Sequence, residues 1–275
     1  MKRQRIIFTA LSIGLFLAFA QFAGAIAEAQ QAADPRVADL VKAGRIRVAL
    51  HLAQYTKDQV TGELRGLGSG TVSVQIAHAL AARLGVEVQL VGYPTPPTVE
   101  ECLNAGTCDV GFVGIERAAA VGLSPPFVQL DYTYLVPAGS SIRSFADADR
   151  PGVRIAVVRN HLSTLTLSRI LKRAQPVDAE IPDAAFDLLR TGQADALAST
   201  RPLLLAYSAK LPGSRVLEDY YGANLVAMAA AKDQVGRLAY FSEFIEEAKA
   251  SGFVQRAIER AGERGLRVAP PREPK

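Results

Sequence analysis

The chain has 275 residues, 49% of them apolar and 21% charged, with a formal net charge of +4. That length has room for one large domain or two of moderate size, and the apolar fraction supplies sizeable cores. Lys2, Arg3 and Arg5 carry most of the charge excess and no acid precedes Glu28, so the rest is close to neutral; with no basic stripe interleaved with aromatics, nucleic-acid binding is unsupported.

Residues 1–25 read as a secretory signal: a positive start, an apolar run from Ile6 to Phe22, then small residues at Ala23-Gly24-Ala25 for cleavage, with Ala27 or Ala29 as other cut points. No cysteine lies near enough for a lipid anchor. An uncleaved membrane anchor is the alternative, for which the apolar run is marginally short. The mature protein is therefore expected to be exported to the periplasm.

Asp34-Pro35 opens a short helix that stops at Gly44, and the alternation of Arg45 to Leu52 predicts the first strand. His51, Gln54 and Tyr55 follow at its end. A glycine-rich stretch, Gly62 to Gly70, leads into a helix over Ser73–Leu84. It is not a dinucleotide turn: the strand ends well before Gly66, and position 71 is Thr. Val86 to Val91 is the second strand, with Tyr93 at its carboxyl end. Pro94, Pro96 and Pro97 make a stiff loop before a short helix, Val99–Asn104. Cys102 and Cys108 point to different faces on a continuous helix, but a turn at Gly106 would bring the sulfurs together. A disulfide is expected, worth about 2 kcal/mol for so small a loop; two buried thiols is the alternative. With no histidine nearby, they form no metal site.

Asp109 to Phe127 organises the rest. Val110 to Val113 is a buried strand, broken at Gly114, with Glu116 and Arg117 just beyond it and a stop at Pro125-Pro126. A charged pair there sits at the carboxyl edge of a sheet, where ligands bind in open α/β folds. Arg117 offers a planar fork of donors suited to a carboxylate; a surface Arg paired with Glu116 or Asp109 is the plainer reading. Leu130 to Val136 is a strand. Val153 to Val158 ends at Arg159-Asn160-His161 and feeds a helix over Ser163–Ala174, whose free N–H groups make an anion site. His161 either contacts ligand there or caps the helix. Val177–Ile181, a helix over Asp183–Arg190, the strand Asp195–Ser199 and a helix over Leu203–Leu211 follow. Gly222–Ala231 is a strand, Arg237–Ala250 and Phe253–Ala261 are helices, and residues 270–275 are expected to lack order. The halves repeat strand, helix, strand, helix, strand as a structural echo, with no sequence repeat of short period.

Asp109, Arg117, Ala118, Val121, Leu123, Ser124, Pro126 and Phe127 match a pattern that resembles the family 3 extracellular solute-binding proteins, periplasmic receptors of polar amino acid ABC importers. Lys42–Leu50 resembles the opening strand of that family, and the segment ending Asp195-Ala196 resembles its L-x-x-G-x-x-D-A motif. The resemblance implies a type II two-lobed periplasmic-binding fold of α/β class: lobe 1 over 35–131 and 225–269, lobe 2 over 135–221, joined by two hinge crossings. It implies a monomer without cofactor or catalytic activity, taking a small polar or anionic solute in the interlobe cleft and passing it to an inner-membrane ABC permease. Arg117 would hold a carboxylate, completed by the turn of Asn160, His161 and Ser163. Tyr55, Tyr93 and Phe127 would wall the site. Where the family places the acid that binds an α-ammonium, this chain has Thr200; the following Arg201 either holds a second anionic group or faces solvent. The segment before Arg117 is also shorter than in the family and lacks its threonine, so a carboxylate solute is as plausible as an amino acid. The alternatives are a periplasmic enzyme of the same fold, resembling cyclohexadienyl or arogenate dehydratases, for which Glu116 and His161 are the obvious acid–base pair, and a non-transporting sensor module.

Overall fold

The computed structural model describes residues 34–52, 55–58, 64–66, 69–116, 118–262 and 264–271. The expected secretory segment, Gln54, Arg117 and the last four residues lie outside these. Helix α1 (Ala38–Ala43) leads into β1 (Arg45–His51). A hairpin of β2 (Tyr55–Lys57) and β3 (Leu64–Gly66) precedes α2 (Ser69–Leu84) and β4 (Glu87–Tyr93). Then come α3 (Pro96–Asn104), β5 (Val110–Gly114) and a long strand, β6 (Gly122–Val136). The middle of the chain runs α4 (Phe145–Ala148), β7 (Arg154–Val158), α5 (Leu162–Ile170), β8 (Gln175–Ala179), α6 (Pro182–Arg190), β9 (Ala196–Thr200), α7 (Arg201–Ser208) and β10 (Arg215–Val216). The chain closes with β11 (Gly222–Ala230), α8 (Val235–Ala250), α9 (Phe253–Ala261) and β12 (Leu266–Val268).

The strands join in the order β4-β1-β5-β11-β6-β9-β7-β8. β1 runs parallel to β4 and β5, and β7 runs parallel to β8 and β9. These two parallel groups are the lobes. β6 and β11 connect them: the first part of β6 pairs with β11 and β12, the last part with β9 and β10. Each lobe buries its own core. Ile46, Leu50, Ile76, Leu80, Phe127 and Phe241 belong to one; Tyr134, Ile155, Val157 and Leu167 pack one face of the other, and Phe186, Leu197 and Leu204 its second face. Separate cores joined by two strands are the mechanical basis of a hinge.

The echo between lobes reaches the sequence. Leu103 to Asp109 and Leu189 to Asp195 both read L-x-x-G-x-x-D. In each, the aspartate accepts from the backbone N–H of an arginine on the lobe's first strand: Arg47 to Asp109 at 2.8 Å, and Arg154 to Asp195 at 2.8 Å. The same guanidiniums return to the aspartate and to the glycine carbonyl, Gly106 or Gly192. One clamp built twice ties the turn after a helix to the sheet.

Several boundaries differ from expectation for local reasons. Pro96 and Pro97 start α3 rather than stiffening a loop: Thr95 caps the helix by accepting from the Thr98 N–H, and proline suits a first turn whose N–H groups need no partner. Pro125-Pro126 does not stop the chain. β6 runs through them because its register with β11 shifts opposite Pro126, and the Met228 N–H finds Ser124 Oγ at 3.1 Å instead of a ladder carbonyl. α5 ends at Ile170, short of Ala174, because Asp149 collects the N–H groups of Lys172, Arg173 and Ala174. β12 has only three residues, too few to show a period.

Candidate functional site

A cavity of about 200 Å³ lies between the lobes. His51 at the end of β1 and Phe112 to Gly114 at the end of β5 form one wall. Pro96, Val99 and Glu100, spaced i, i+3 and i+4, present one face of α3. Asn224 enters from the crossing strand β11, and Leu162 reaches across from the first position of α5 in lobe 2. The site thus sits at the carboxyl ends of the lobe 1 strands, the position that open α/β sheets reserve for ligands.

Two polar groups have defined surroundings. Glu100 Oε2 accepts the Ala120 N–H at 2.9 Å, which anchors the loop after β5. Lys232 Nζ donates to the Ala119 carbonyl at 2.8 Å and holds the same loop from the other side. Asn224 Oδ1 is buried and has no hydrogen-bond partner among the described residues. It lies against Gly114, where an added Cβ would approach it to 2.7 Å. Gly114→Ala is therefore expected to displace Asn224 and cost about 1–3 kcal/mol; urea denaturation with a parallel solute-binding assay checks this, and an unperturbed variant would contradict the close approach.

Arg117 lies outside the described residues, three positions beyond Gly114. The turn after β7 leads into the start of α5, as the sequence pattern predicts. Asn160 has φ 62, the left-handed conformation that glycine usually takes, and asparagine tolerates it. Asn160 and His161 are exposed at the helix N-terminus, but the His161 side chain does not cap it. Ser163 is buried instead of open to the cleft. Thr200 ends β9 and precedes α7.

Other expected site residues are placed elsewhere. Tyr55 and Phe127 are buried in the lobe 1 core rather than walling the cavity, Phe127 edge-on to Phe112 at 5.7 Å between ring centroids. Burial pushes the Tyr55 phenol well above its ordinary pKa. Tyr93 packs beside the cluster of Val99 and Cys102, its hydroxyl 3.1 Å from Cys108 Sγ. The expected disulfide is not formed: Cys102 and Cys108 are free, buried thiols. Cys102 Sγ donates to the Val99 carbonyl, Cys108 Sγ pairs with the Tyr93 hydroxyl, and the two thiols also meet each other; burial, helped by that contact, pushes the Cys102 thiol up to about 12. Arg201 faces neither solvent nor the cavity. It donates to Asp131 at 3.2 Å and to the carbonyls of Leu217 and Glu218 at 2.8 and 2.7 Å.

Sequence reasoning passed over Glu100 and Asn224. Glu100 sits beside Glu101 in the same helix, and only the capped start at Thr95 sets which of the two turns to the cleft. Among the described residues there is no cluster of three or more potential metal ligands and no helix long and apolar enough to cross a membrane.

The sequence signature of the bacterial extracellular solute-binding proteins, family 3, spans residues 53–263, across both lobes and the cavity between them. The chain belongs to this family. A stretch of 136 residues of this solute-binding protein is 29% identical to the virulence sensor protein BvgS of Bordetella bronchiseptica strain RB50, covering 48% of this chain and 11% of the sensor. The chain thus spans about a tenth of the length of that relative. The glutamine-binding protein of Geobacillus stearothermophilus is 26% identical over 183 residues, covering 64% of this chain and 68% of that one. Among solved structures, an ancestral cationic amino acid solute-binding protein, AncCDT-1, superposes with a TM-score of 0.64 at 24% identity, over 82% of this chain and 98% of its own. The fold is the two-lobed, type II periplasmic-binding fold.

Proposed function

We propose that this protein is a periplasmic receptor that captures a small polar solute, an amino acid or another carboxylate, between its lobes and delivers it unchanged to an ABC permease. The observation that carries this reading is the cavity between β5, α3 and β11 on one side and Leu162 of lobe 2 on the other. Residues 35–131 with 225–269 form one jaw and 135–221 the other, and closure bends β6 and β11. Arg117, three positions beyond β5 in the sequence, is assigned the solute carboxylate for its planar fork of donors, and the N–H groups at the start of α5 complete the grip from lobe 2.

A thermal-shift screen against amino acids, monocarboxylates, dicarboxylates and amines tests the reading. A solute at 100 times its Kd stabilises the fold by about 2.7 kcal/mol, a shift easily seen on melting. Arg117→Ala is expected to abolish the shift for carboxylate-bearing hits. A solute recovered chemically altered would replace the receptor with an enzyme. A hit unaffected by the substitution would keep the receptor and remove Arg117 as its anchor.

A further inference from the structure

We propose that strand β12 is a further limb of the hinge, and that Asp131, held from one side by Arg201 and from the other by Arg267, is the detent that fixes the resting angle between the lobes. This goes beyond the receptor reading and stands whatever the solute is. Asp131 is the residue at which β6 changes partners. β12 pairs with β6 at Val128, Gln129 and Leu130, and β9 takes over from Tyr132 to Leu135. On the other crossing strand, β11, Ala223 stands opposite Asp131. A bend between the lobes therefore turns about this residue.

Each oxygen of the carboxylate belongs to a different body. Oδ2 accepts from Arg201, which opens α7 in lobe 2 and also donates to the Leu217 and Glu218 carbonyls just ahead of β11. Oδ1 accepts from Arg267 on β12 at 2.6 Å. The Arg267 guanidinium also lies over the Tyr220 ring, 4.9 Å from its centroid, on the segment that leads back out of lobe 2. β12 meets lobe 2 again through Gly265, where an added Cβ would stand 3.0 Å from Arg201 Cγ and 3.2 Å from the Pro202 nitrogen. The strand thus hangs from lobe 1 by its ladder and by the Ala269 N–H on the Phe127 carbonyl at 3.0 Å, while its leading turn rests on lobe 2.

Burial turns these contacts into a detent. Asp131 is 1% exposed, so water does not replace a guanidinium that moves away, and a buried carboxylate short of partners is costly. Rotation of lobe 2 carries Arg201 and Tyr220 with it, while the ladder keeps Arg267 with lobe 1. Both arginines reach the one carboxylate over a narrow range of lobe angles, and departure from that range is resisted. The turn at Gly265 shifts with α7, so β12 is loosened whenever the lobes move.

Pulsed electron spin resonance of the unliganded chain, with spin labels at Glu87→Cys and Gln175→Cys, tests this. Both positions are exposed, at the starts of β4 and β8, the outermost strands of the two lobes. Cys102 and Cys108 are buried and stay unlabelled. With Arg267 in place, one narrow distribution of distances between the labels is expected. Arg267→Ala is expected to broaden it and to raise the population at other angles by about fivefold, the weight of one half-exposed ion pair. Arg267→Lys, which keeps the charge without the fork, is expected to fall between the two. Arg201→Lys, a change made in lobe 2, is expected to speed hydrogen exchange in residues 266–269 of β12 and its exit. If Arg267→Ala frays β12 but leaves the distances between the labels unchanged, Arg267 is a local staple and the detent is overturned. If Arg201→Lys leaves exchange in residues 266–269 as in the natural chain, β12 is no limb of the hinge.

Discussion

Asp131→Ala is expected to lower the stability of the folded chain by about 3–5 kcal/mol, the range for removing one partner of a buried ion pair. The melting temperature should fall by on the order of 10 °C. Asp131 is 1% exposed and lies on β6 where the chain crosses between lobes. Its Oδ2 accepts from Arg201 at the start of α7 in lobe 2, at 3.2 Å. Its Oδ1 accepts from Arg267 on β12, at 2.6 Å, and from Gln129 at 2.8 Å. Loss of the carboxylate leaves the Arg201 guanidinium, 12% exposed, with two carbonyls and no counter-charge. Arg267→Ala should cost about 1 kcal/mol or less, because that side chain is half exposed and water replaces the contact. Differential scanning calorimetry of the two variants provides the check. An Asp131→Ala protein melting like the natural chain would mean that the hinge does not depend on this staple.

Asp109 should account for the larger share of acid sensitivity. Burial by itself raises the pKa of this carboxyl, but hydrogen bonds from Arg47 outweigh it and hold the group below its ordinary value. A carboxyl whose pKa is lower in the folded state adds stability above its unfolded pKa of about 3.9. That stability is lost as pH falls through the folded value. Asp109→Asn is thus expected to be less stable near neutral pH and to lose less on acidification. Asp195 is held low by the matching hydrogen bond from Arg154. Its side chain is 39% exposed, against 8% for Asp109, so solvent screens it and Asp195→Asn should change the acid limb less. Urea titrations from neutral pH down to about pH 3 measure both. Parallel acid limbs for the natural chain and Asp109→Asn would remove Asp109 from this role.

Most of the fold was legible. Strand β1 follows from its alternation, β5, β7, β9 and β11 from short apolar runs, and most helices between them from apolar periodicity with glycine stops. Local signals failed where a distant group redefined a boundary. Asp149 ended α5 by capturing three N–H groups from another element, and the pairing of β6 with β11 carried a strand through two prolines. The site was less legible. The turn at Asn160 was legible because a strand-to-helix connection is a local feature. Tyr55 and Phe127 were misplaced because an aromatic beside a turn signal looks the same whether it turns to the cleft or to the core, and the strand that carries Phe127 runs on through the prolines before it.

The sequence by itself determined the α/β alternation and the family, and pointed to the sheet edge beside the interlobe cavity, since periodicity, caps and the Asp109–Phe127 motif are carried by contiguous residues. The tertiary structure decided which side chains enter that cleft. Arg201 belongs to a hinge staple because Asp131, seventy positions earlier, meets it there. Glu100 and Asn224 share one cavity because α3 and the crossing strand converge on β5. Such meetings depend on sheet order and on burial, and neither is written in the residues on either side.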